Sequence, residues 1–159
     1  MSVEYKSLNE ILNTVKGQLD TVVSESVDQI VLFDGTLQQA INDHFGPGTK
    51  PGIKSIIFVA QTDISPESMA GSGLALRDGI LIDIYPVIRS SGRSRYEGDR
   101  EALNDLSDLI WHEAFHHTNT RDEFKSRIGS MQSQARVRQA TGDGVLAHLV
   151  RFLCIPKRS

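Results

Sequence analysis

The sequence predicts an α+β fold, on three observations. Apolar residues recur at helical spacing over the first 23 positions. Short β-branched runs bounded by turn residues occupy the middle of the chain. Helical spacing returns after Asp99. The expected order is N-terminal helices, a small three-stranded sheet with a β-hairpin, a helix carrying His-Glu-x-x-His, and C-terminal helices. With 159 residues, 39% of them hydrophobic and 23% charged, the chain has the size of one domain, residues 1–159, and the makings of a core.

Taken in order, Ser7 and Glu10 have the spacing of a capping box. Leu8, Ile11, Leu12, Val15, Leu19, Val22 and Val23 then mark one face of a first helix. A second helix covers residues 36–45 and ends at Gly46-Pro47-Gly48. Residues 53–60 are short and β-branched, and read as a buried strand. Leu74-Ala75-Leu76, Asp78-Gly79 and residues 80–85 have the signature of a hairpin, since Asp-Gly supplies the positive φ angles of a type I′ turn. Pro86 is expected to end the second strand of that hairpin. Asp99 is placed to cap a helix running to residue 118. Thr120 and Glu123 are placed to cap another, with Phe124, Ile128, Met131 and Ala135 on one stripe. Thr141-Gly142-Asp143-Gly144 breaks that helix, and residues 145–153 are expected to form a last short one.

The chemistry concentrates at His112-Glu113-Ala114-Phe115-His116. Residues four apart on a helix share a face, so the two imidazoles can converge on one tetrahedral ion. Glu113 then stands beside a metal-bound water, whose pKa falls from about 15.7 to roughly 7, and takes its proton as general base. Leu103, Leu106, Ile110 and Ala114 define the core side of this helix, with Trp111, Phe115 and Leu109 flanking the histidines. A catalytic zinc usually takes three protein ligands. Glu123 is the first candidate for the third and Asp122 its rival. His117 falls on the core stripe and reads as a packed histidine. His148, Tyr96 and Arg121 are weaker candidates for stabilising an oxyanion, and Asp108 for a hydrogen bond behind a metal ligand. Cys154, the single cysteine, reads as an inert apolar residue and allows no internal disulfide.

A net charge of −3 gives no basic surplus for a nucleic acid. No run of 18 apolar residues appears to span a membrane, and the start lacks the pattern of a Sec signal peptide. The expected location is the cytoplasm, or outside the cell by a route without such a signal.

The motif resembles that of the zincin metallopeptidases, in which a His-Glu-x-x-His helix follows a small sheet. That resemblance implies zinc held by His112 and His116, with Glu113 as base. A gluzincin-like pattern would add Glu123. The metzincin-like spacing His116-x-x-Asn119-x-x-Asp122 would add Asp122, with Met131 where a Met-turn is sought. The activity implied is hydrolysis of a peptide bond in a protein or peptide substrate. Similarity to compact zincins also suggests a bacterial toxin or effector, with an inhibitor or immunity protein as partner. The alternatives are an inactive zincin-like binding module and a zinc hydrolase of a non-peptide amide. Peptide deformylase shares the five-residue pattern, but its cysteine-bearing ligand motif is missing here.

Overall fold

A computed structural model describes residues 8–45, 52–61, 79–90, 98–141 and 144–157. Helix α1 (Leu8–Val22) leads into strand β1 (Gln29–Leu32), and helix α2 (Leu37–Phe45) carries the chain back to strand β2 (Ser55–Gln61). A helical crossover returns the chain to the same end of the sheet, so β1 and β2 pair in parallel. Strand β3 (Ile80–Arg89) pairs antiparallel with β2. Helix α3 (Gly98–Asp108) runs into a π-helical turn (Leu109–Ala114), followed by helix α4 (Asp122–Arg127) and strands β4 (Ile128–Gln139) and β5 (Val145–Pro156). The result is an α+β fold around one five-stranded mixed sheet of order β1-β2-β3-β5-β4. Among the described residues no helix is long and apolar enough to cross a membrane.

Each face of the sheet has its own cover. Ile57, Val59, Ile82, Ile84, Val150 and Phe152 meet α1, the π turn and α4 on one side. Ile56, Phe58, Val87 and Ala147 meet α2 on the other. The expected first helix is α1, whose Ile11, Val15 and Leu19 are buried. The second is α2, and the strand expected at residues 53–60 is β2. Ser7 and the hairpin's first strand and Asp78 lie outside the described residues. So does Tyr96.

The C-terminal third differs from expectation: the sheet has five strands among the described residues where three were expected, and two of them stand where two helices were predicted. Strand β5 reads as an apolar run because it lies inside the sheet and is covered on both faces, a pattern that periodicity alone does not separate from a buried helix. In β4 the cause is two register shifts, at Ile128/Ser130 and Ser133/Ala135. Ile128 and Met131 reach the same core across the first shift, so three residues separate two inward positions as in a helix. The expected cap fails as well. The Thr120 hydroxyl donates to the His117 carbonyl at 3.1 Å, leaving Arg121 as an N-cap without a side-chain bond. Pro86 does not end β3. The pairing with β5 passes from Ile84–Val150 to Val87–Ala147, and the residue lacking an N–H falls within that step.

On the α2 side, Asp83 of β3 stands directly opposite Arg151 of β5. Asp83 Oδ1 accepts from Arg151 Nε at 2.7 Å and Oδ2 from the second nitrogen at 3.1 Å, with both side chains largely buried. Removing one partner of a buried pair leaves the other charge poorly solvated. Asp83→Ala should therefore destabilise the fold by about 3 kcal/mol. The check is a lower urea midpoint at unchanged m-value.

Candidate functional site

Helix α3 presents Leu103 and Leu106 to the core, and the π turn continues with Ile110 and Ala114, all four buried as the sequence requires. Trp111 packs near Phe152 at 6.1 Å, and Phe115 lies 5.0 Å from Phe152 and 5.7 Å from Phe124. These rings turn inward. They do not wall a cleft around the histidines, because His112, Glu113 and His116 are all exposed.

The helix stops before the motif is complete. Phe115 leaves helical geometry at φ −113 and ψ 12, so His116 lies in the turn that follows. The Glu113 carbonyl accepts from His116 N at 3.2 Å and from Asn119 Nδ2 at 2.8 Å, which closes the reversal. Gln18 of α1 locks it from beneath. Its Nε2 donates to Ala114 O and Asn119 O, both at 2.9 Å, and its Oε1 accepts from Arg121 N at 3.2 Å. In the turn, the His116 ring stacks on His117 at 4.3 Å, and Nδ1 lies 2.8 Å from the Thr118 hydroxyl. His117, expected in the core, is exposed.

The proposed third ligands are placed no better. Glu123 is bound to Arg127 at 2.7 Å and lies 3.7 Å from Arg121, an ion-paired role in α4. Asp122 is exposed in the first turn of the same helix. Asp108, expected behind a metal ligand, instead pairs with Arg136 of β4. Met131 lies in a strand rather than a Met-turn. Cys154 is fully buried, and burial pushes its thiol up to about 12, in keeping with an inert role.

Comparison with models of known protein families and with curated proteins finds no match to this chain. Among the described residues no group of three or more His, Cys, Asp or Glu side chains comes together as a metal site requires. The zincin reading, with zinc on His112, His116 and Glu123, is thereby corrected. Its physical cause is the reversal that Gln18 holds: the helix ends at Ala114, two residues before the second histidine, and Glu123 is held by arginines.

The structure brings a different set together. A cleft of about 620 Å³ lies between α3, the end of β3 and the β4–β5 hairpin, and its walls include Ser90, Arg100, Asn104, Arg138, Thr141 and His148. Ser90 N donates to Gly144 O at 2.8 Å, closing the β3 end against the start of β5. Ser90 Oγ and His148 Nδ1 are buried without a hydrogen-bond partner among the described residues. Burial holds the His148 imidazole below its ordinary value, as do Arg136 and Arg138, while Asp108 pulls the other way. Of these residues the sequence reading had singled out only His148. The missed signal was Arg136-x-Arg138, an alternation that places both arginines on one face of a strand.

Gln18 is the polar group on which this arrangement turns, being fully buried with every bond inside the protein. Gln18→Leu would strand two carbonyls and one N–H at the reversal, so a loss of at least about 2 kcal/mol is expected. The accompanying sign would be faster hydrogen exchange at the Arg121 amide, with the sheet amides unaffected.

Proposed function

We propose that the chain is a ligand-binding protein whose site is the cleft between α3 and the β4–β5 hairpin. The observation that carries this is the pair of buried polar atoms, Ser90 Oγ and His148 Nδ1, that find no partner among the described residues and belong to residues of the cleft wall. Buried polar groups are almost always satisfied, because leaving one unpaired costs about 1–3 kcal/mol. A small molecule with matching donors and acceptors recovers that cost. The volume fits the range of ligand pockets, roughly 300–1,000 Å³.

A second reading is favoured by the π-helical turn. Such turns are rare and recur at functional sites, and this one carries His112 and Glu113, both exposed and free of ion pairs among the described residues. It would make the chain a hydrolase of a peptide or other amide bond, with Glu113 as general base.

The two readings separate by substitution. Asn104 is exposed on α3 and lends only its backbone oxygen to Arg136, so Asn104→Trp fills the cleft without removing that bond. Screened by NMR against a small-molecule library, the wild type should show ligand shifts at Ser90, Thr141 and His148, and Asn104→Trp should lose them at unchanged Tm. Hydrolysis of a peptide library, lowered roughly 10²–10⁴-fold by Glu113→Gln and untouched by Asn104→Trp, would instead support the second reading. A library that shifts no cleft residue rules out the first.

A further inference from the structure

We infer that the ligand of the cleft carries an oxyanion, held by Arg138 of β4 and Arg100 of α3 with the imidazole of His148 as a third contact; this rests on the cleft being the ligand site. The charge balance points there. The chain as a whole has a net charge of −3, yet the described residues of the cleft wall include two arginines and a histidine and no Asp or Glu.

Arg136 is the internal comparison. It lies two residues before Arg138 on the same face of β4, and its charge is spent within the fold. Its guanidinium pairs with Asp108, and it donates to Ser107 Oγ at 2.8 Å and to Asn104 O at 3.4 Å. Arg138 stands directly opposite His148 on β5. Neither Arg138 nor Arg100 has a carboxylate partner among the described residues. A guanidinium fork left open beside a cavity matches a carboxylate or a phosphate, both of which accept two parallel N–H bonds.

His148 makes the binding pH-dependent. The charged groups around it are Arg136 and Arg138 from β4, with Asp108 and Arg100 from α3; the neighbouring Pro86 and Ile88 of β3 carry none. In the free protein, burial and the two β4 arginines lower its pKa, so near neutral pH the ring is uncharged. An oxyanion among the arginines offsets their repulsion and favours the imidazolium. Binding then takes up a proton, and by linkage affinity rises as pH falls through the range between the free and bound pKa values.

The test uses sulfate, whose charge is constant from pH 5.5 to 8, with acetate as the carboxylate arm and neutral glycerol as the control, all at ionic strength fixed with chloride. NMR follows the His148 ring proton and the cleft amides in wild type, Arg138→Gln and Arg100→Gln. Sulfate should raise the His148 pKa and bind more tightly at pH 6 than at pH 8. Each arginine substitution should weaken it about tenfold to a hundredfold at unchanged Tm. Acetate binding better than sulfate at pH 7 identifies a carboxylate ligand, and the reverse a phosphate-like one. Cleft amides that respond to glycerol or to library compounds but to neither anion would overturn the oxyanion and leave the ligand site standing. Sulfate bound equally by wild type and both variants overturns the arginine contacts. No response to any compound removes the cleft reading itself.

Discussion

The side chain of Gln18 governs how the second half of the molecule is laid on the first. An amide has two donors and an acceptor, and here all three functions are used on one stretch of chain: two carbonyls and an N–H between Ala114 and Arg121. Inside a low-dielectric core such bonds are strong, and their loss leaves several groups unsatisfied together. The clamp joins α1 to residues about a hundred positions away, and it fixes where the π turn stops. Arg127 of α4 adds a second tie to α1, donating to Thr14 Oγ1 at 3.3 Å. Between these two points the direction of α4, and hence the entry into β4, is set. Gly17 takes part by leaving room: a Cβ there would stand 2.7 Å from a guanidinium nitrogen of Arg121, which lies across α1.

That constraint explains why, among the described residues, a strong motif does not gather the side chains of a metal centre. His-Glu-x-x-His binds a metal only if five consecutive residues stay on one helix, so that both imidazoles are one turn apart. Here Ala114 gives its carbonyl to Gln18 and Glu113 gives its own to Asn119, so the chain reverses before His116. The competing term is a set of buried and partly buried hydrogen bonds from residues remote in sequence. Nothing within the motif announces it.

Legibility in the sequence follows the same division between local and remote causes. Helix α1 and the core side of α3 were readable because their apolar residues face one core at regular spacing, and strand β2 because it is a short β-branched run bounded by turn residues. The α+β class followed from the order of these elements. Strand β5 was not readable as a strand, since a chain covered on both faces has no alternation to show. Strand β4 was misread because its inward residues are out of phase with a regular strand. Of the candidate site, His148 was visible as a residue but not as part of a group. Its neighbours come from β4 and α3, and only the pairing of Arg138 with His148 puts them together.

The register shift at Ser133/Ala135 does more than disguise a strand. Before it, Ser133 stands opposite Phe152; after it, Ala135 stands opposite Arg151 and Arg136 opposite Val150. Phe152 and Val150 both belong to the face covered by α1, the π turn and α4. One extra residue in β4 therefore moves Arg136 and Arg138 onto the α3 side and leaves Val137 outside, half exposed. In a regular strand the phase would be reversed, with Val137 toward α3 and the arginines on the opposite face. Asp108 would then lack its partner, and the cleft wall would lose Arg138. A single inserted residue thus decides both how β4 is fastened to α3 and which charge the cleft presents.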